Sequence, residues 1–114
     1  MVDRLIAAGA AVDKALTTNG ATPLFNAAAN GHEAVVDRLI AAGAAVDIAE
    51  TDDGCTPLFM AAQDGHEAVV GRLLVAGAAV DKALTTSGAT PLFVAAENGH
   101  EAVVDRLIAA GAAG

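Results

Sequence analysis

The sequence predicts an all-α solenoid, a stack of antiparallel helix pairs joined by long connections. Three observations predict it. The chain repeats at a fixed period: Val2, Val36, Val70 and Val104 are each 34 residues apart, as are Gly20, Gly54 and Gly88, and His32, His66 and His100. Each period holds the start and stop chemistry of two short helices. The apolar residues are small, with 54% of the chain hydrophobic but only 3% aromatic, and neither Trp nor Tyr. A core of Ala, Val and Leu needs elements that approach closely, as packed helices do.

Aligned on Gly20, Gly54 and Gly88, the repeats span 20–53, 54–87 and 88–114, the last one short. Before them, residues 1–19 form a partial unit that holds only the back half, so the array starts half a unit in. All 114 residues read as one domain. The first full unit is GATPLFNAAANGHEAVVDRLIAAGAAVDIAETDD. Thr22 can cap a helix with its hydroxyl, and Pro23 suits the first helical position, where its missing N–H costs nothing. Leu24, Ala27 and Ala28 then follow helical spacing and give one apolar stripe. Asn30-Gly31 stops the helix, with Gly31 suited to a left-handed position. A second helix starts near His32-Glu33, where Glu33 suits the positive end of the helix dipole. Val36, Leu39 and Ile40 are its expected buried stripe, and Gly43 ends it. A polar connection leads to Gly54. A 34-residue unit is too small to fold alone. Stacked copies bury their apolar faces on one another.

Charge and apolar runs exclude several classes. Against 14 acidic residues stand 6 basic ones, a net charge of −8. Such a field repels phosphate backbones, so nucleic acid is not an expected partner. No apolar run approaches the roughly 20 residues of a membrane span, and no basic segment precedes an apolar one as in a signal peptide. The single cysteine, Cys55, rules out an internal disulfide and fits a reducing, intracellular setting.

Taken together, Gly20, Thr22, Pro23, Leu24, Ala27, Ala28, Gly31, His32, Val36, Leu39, Ile40, Gly43, Ala44, Val46 and Asp47, with their counterparts in the later units, resemble the ankyrin repeat. The resemblance implies β-hairpin-like finger loops and a concave groove, formed by first helices and fingers, that binds protein partners. Two departures stand out. The family's His after Thr-Pro-Leu is Phe here (Phe25, Phe59, Phe93). In the family that His ties neighbouring loops by hydrogen bonds; apolar packing should replace it. The period is also one residue longer than usual, and the extra residue falls in the connection. The fingers should therefore be altered and the helix pairs unaffected.

No cofactor, metal or catalytic set is expected. Three histidines in identical contexts stand one repeat apart, roughly 10 Å for side-by-side helices, too far to converge on a zinc ion. They read as structural residues of the helix–helix turn. Cys55 replaces Ala21 and Ala89 beside the Thr56 cap; it reads as a small buried thiol, although a helix N-terminus can lower a thiol pKa. Glu50, Asp52, Asp53 and Asp64 form the densest acidic cluster, read as a solvated loop or a contact for a basic partner. Gly71 stands where other copies have Asp37 and Asp105, and should weaken its helix.

The positions that vary between copies mark the candidate partner-binding residues: Asn26, Met60 and Val94; Ala29, Gln63 and Glu97; Asn30 and Asp64; and Leu16, Glu50 and Leu84 in the fingers. These imply a non-catalytic protein-interaction module whose partner carries a basic patch. The alternative is a structural or engineered repeat scaffold that self-associates through apolar repeat ends. The near identity of the copies points to recent duplication or to consensus design.

Overall fold

The computed structural model describes residues 20–112, and these hold six helices and no strand. They are α1 (Pro23–Ala29), α2 (Glu33–Ala41), α3 (Pro57–Gln63), α4 (Glu67–Val75), α5 (Pro91–Glu97) and α6 (Glu101–Ala109). Each pair, α1–α2, α3–α4 and α5–α6, packs within itself; α1, α3 and α5 then stack in one row, and α2, α4 and α6 in a second. This is the solenoid of helix pairs that the period predicts.

Local chemistry sets each boundary. The Thr22, Thr56 and Thr90 hydroxyls accept from the Phe25, Phe59 and Phe93 N–H groups at 3.2, 3.1 and 3.1 Å, and a proline opens each first helix. One orphan donor of each helix start is thereby satisfied. The stop after α1 is a Schellman turn: His32 N–H donates to the Ala27 carbonyl at 3.0 Å and Gly31 N–H to Ala28 at 3.2 Å. Gly31 is left-handed, with φ +71°. A β-carbon there would also lie 2.7 Å from Nδ1 of His66 in the next unit. Only glycine meets both demands.

The core runs through all described units. Leu24, Leu58, Ala28, Ala62 and Ala95 of the first row and Val36, Val70, Leu73 and Leu107 of the second are buried. The second-helix stripe departs from expectation at one position. Ile40 and Leu74 are half-buried and Ile108 is 56% exposed; the burial sits instead on Val36, Val69, Val70 and Val103 with Leu39, Leu73 and Leu107. At about 3.6 residues per turn, the face shared by Val69, Val70 and Leu73 and their equivalents leaves position 40 and its equivalents at its edge.

The connections are hairpin-like turns. Glu50 N–H donates to the Cys55 carbonyl at 2.9 Å, and Gly54 N–H returns to Glu50 at 3.2 Å. Leu84 and Ala89, with Gly88, repeat the pattern at 2.9 and 2.9 Å. The fingers also bond to each other, Thr85 N–H to the Asp53 carbonyl at 2.7 Å. The extra residue is thus absorbed in the turn, and all three helix pairs keep lengths of seven and nine residues.

Two polar ladders join neighbouring units. On the first, Nε2 of His66 donates to the Ala29 carbonyl at 3.1 Å, and Nε2 of His100 to Gln63 at 3.0 Å. Hydrogen bonding between units is therefore kept, but by the histidines of the helix–helix turn; phenylalanine packing does not replace it alone. On the second, along the outer helices, Arg72 pairs with Glu33 and, at 3.0 Å, with Asp37, while Arg106 reaches Glu67 at 2.8 Å. Helix α4 stays continuous through Gly71. The Arg106 guanidinium fills the space above it, where a β-carbon would stand.

Candidate functional site

The first helices and the fingers face one another across a groove, and the repeat places equivalent positions along it at each step. Two hollows lie in it. One, of about 230 Å³, is lined by Phe25, Glu50, Asp53, Cys55, Phe59, Met60, Gln63 and Leu84. The other, of about 580 Å³, is lined by Phe59, Gln63, Leu84, Ser87, Gly88, Ala89, Thr90, Phe93, Val94 and Glu97. The groove thus brings together Met60, Gln63, Val94, Glu97, Glu50 and Leu84 from the sequence-based candidates. Asn26, Asn30 and Asp64 are exposed and Ala29 half-buried. They stand on the same two helices, outside the hollows' linings, with Asn30 and Asp64 at the C-caps of α1 and α3. Leu16 lies outside the described residues. The Ala29 and Gln63 backbones already serve the histidine ladder, and the Asn98 amide adds a bond to Gln63 at 3.1 Å.

Glu50 is not a solvated acid: it is 8% exposed. Its carboxylate accepts from the N–H groups of Asp53 at 2.6 Å, Asp52 at 3.1 Å and Cys55 at 3.3 Å. Burial pushes its pKa up, but the bonds from Asp53, Cys55, Asp52 and Gly54 outweigh that and hold it below the ordinary carboxylate range. Glu50 therefore braces its own turn and offers little to a partner. Asp52, Asp53 and Asp64 remain exposed. Val94, grouped with surface positions, is buried at 8%, because a short branched chain sinks where Asn26 stays out. Cys55 is buried, and its thiol is pushed up to about 12 by desolvation and by the charges of Glu50, Asp53 and Asp64. The expected lowering by the helix end is overridden, and the thiol stays protonated and inert at neutral pH.

Sequence reasoning missed the phenylalanines as groove walls. They read as apolar packing between units, yet Phe59 lines both hollows and Phe93 is 56% exposed. The signal was present: all three phenylalanines occupy one register beside the varying position.

Charge is sorted across the molecule. The described arginines, Arg38, Arg72 and Arg106, all stand on α2, α4 and α6. Neither hollow is lined by Lys or Arg, while Asp53 and Glu97 line them. Among the described residues no group of three His, Cys, Asp or Glu converges as a metal cage, and no helix is long and apolar enough to cross a membrane.

No curated protein matches the chain. A family model for ankyrin repeats, in three copies, matches residues 1–82 and 27–113. That match, the threonine-capped helix pairs and the finger turns agree along the length of the described residues, and the chain belongs to the ankyrin repeat family.

Proposed function

We propose that this chain is a non-catalytic protein-binding module of one domain, residues 1–114, that holds its partner in the groove between first helices and fingers. Ankyrin repeats are generally protein–protein interaction modules. The observation that carries the finer reading is the sorting of charge. The outer helices use their arginines on their own acids, whereas the groove presents Asp53 and Glu97, with Asp64 nearby, and no cation in the hollows' linings. A partner with a basic patch meets that surface favourably, and the net charge of −8 adds long-range steering. The apolar floor supplies contact area, and the acids supply orientation.

The test is a protein-array screen with the full chain, followed by the double variant Asp64→Lys/Glu97→Lys. Binders should be basic and should lose at least about fivefold in affinity against the variant, with a loss that shrinks as salt rises. Binders that are acidic, or indifferent to the reversed charges, overturn the reading.

A further inference from the structure

The units are nearly identical in sequence, but their charge is not evenly spread. The smaller hollow has walls from α1, α3 and two successive fingers, so it lies inside the array. Phe25, Phe59, Met60 and Leu84 make its apolar wall; Glu50, Asp53, Gln63 and Cys55 complete it. One repeat later the positions of Glu50, Asp53 and Asp64 are held by Leu84, Ser87 and Asn98, all neutral, and only Gln63 gains a charge, as Glu97. The middle finger also carries Ile48 where the next one carries Lys82. Acids are thus added, and a cation removed, at one step of the array.

Those charges act inside the hollow. The Cys55 thiol is pushed up to about 12 by desolvation and then by the charges of Glu50, Asp53 and Asp64. Among the described residues, no Lys or Arg lines the hollow or pairs with Asp53 or Asp64. The Lys82 ammonium of the neighbouring finger donates to the Asp47 carbonyl at 3.3 Å. Glu50 is buried and bound to its own turn, so it supplies field more than contact. Asp53 is exposed, and its carboxylate can meet a guest. The hollow's volume of about 230 Å³ is smaller than most small-molecule sites and suits a single side chain. An aliphatic guest would satisfy the wall and leave the charge unanswered. A lysine or arginine satisfies both, because its methylene stem packs on apolar surface while its charged end keeps part of its water. We propose that this hollow is the specificity pocket of the groove and takes one long basic side chain of the partner, its stem against Phe25, Met60 and Leu84 and its charge beside Asp53. The pocket rests on the groove being the binding surface, and it names the contact that selects a basic partner.

The probes are Nα-acetyl-lysine methylamide, its arginine counterpart and its uncharged norleucine counterpart, each titrated into the full chain and followed by backbone amide resonances. The two basic probes should shift Cys55 and Met60 saturably, and the norleucine probe should bind at least about fivefold more weakly. Asp53→Asn should weaken the basic probes by at least about threefold and leave the norleucine probe unchanged. Met60→Lys sets an ammonium on the pocket's own wall, at a register where the neighbouring units carry Asn26 and Val94. It should abolish the shift at Cys55 with the circular dichroism spectrum unchanged, which keeps the test decisive if Asp53→Asn disturbs its turn. Three results overturn the proposal: basic and norleucine probes bind alike, basic probes shift Val94 and Glu97 but not Met60, or neither variant weakens them. In each case, basic proteins from the array screen that still fail against Asp64→Lys/Glu97→Lys keep the groove as the binding surface and reject only the pocket. Array binders that ignore that double variant reject the groove itself, and the pocket with it.

Discussion

The fingers around Glu50 and Leu84 have one backbone and two uses. Both close the same pair of main-chain hydrogen bonds, and they hydrogen-bond to each other. In the first, the side chain turns inward on its own loop, where the Glu50 carboxylate gathers the N–H groups of Asp52, Asp53 and Cys55. In the second, Leu84 cannot accept, and it leans on the preceding unit instead. A repeat array thus assigns cohesion within a unit or between units by one side chain at a fixed register. Leu84 also walls the smaller hollow beside Phe59, which is 4% exposed.

The sharpest way to break this comparison is to truncate both phenylalanines separately. Phe59→Ala should cost about 3–5 kcal/mol in urea unfolding, as buried aromatic truncations do. Phe93→Ala should stay within about 1 kcal/mol, since most of its surface already meets water. Equal losses would show that Phe93 is covered in solution.

Glu50→Ala comes next. It strands three N–H groups of the turn and should cost about 2 kcal/mol. A loss confined to a few tenths would mean that water replaces the carboxylate. Glu50→Gln refines this through pH. The folded pKa of Glu50 is depressed, so its contribution is present above the unfolded value of about 4.3 and is lost as pH falls through the lower folded value. The stability gap between the native chain and Glu50→Gln should be flat from neutral pH to about pH 5 and should narrow below pH 4. A gap that widens in acid contradicts the assignment.

The smallest expected effect is on the outer helices. Gly71→Asp restores the residue that Asp37 and Asp105 hold in the neighbouring units, and gives Arg106 a second partner like the pair that Arg72 has. The displaced atoms are the far end of a flexible side chain. The gain should be about 0.5 kcal/mol, part helix propensity and part exposed ion pair. Urea midpoints at low and high salt separate the two parts, because only the ion pair is screened.

Much of the fold was legible because its causes are local. Thr22-Pro23 and Asn30-Gly31 fix a helix start and stop by groups within a few residues, and the 34-residue register repeats the instruction. The groove was legible only as a set of varying positions. Asn26, Met60 and Val94 share a register, yet they run from exposed to buried. Their environment depends on side-chain size and on the neighbouring finger.

The sequence by itself determined the helix pairs, their order and the excess of negative charge, since caps, periodicity and composition act along the chain. Only the tertiary structure decided which equivalent residues differ in role. Glu50 became a turn brace and Cys55 a protonated buried thiol, while Leu84, at the register of Glu50, packs against the core. Desolvation and packing depend on what the next unit places against a residue, and identical local sequence carries no record of that neighbour.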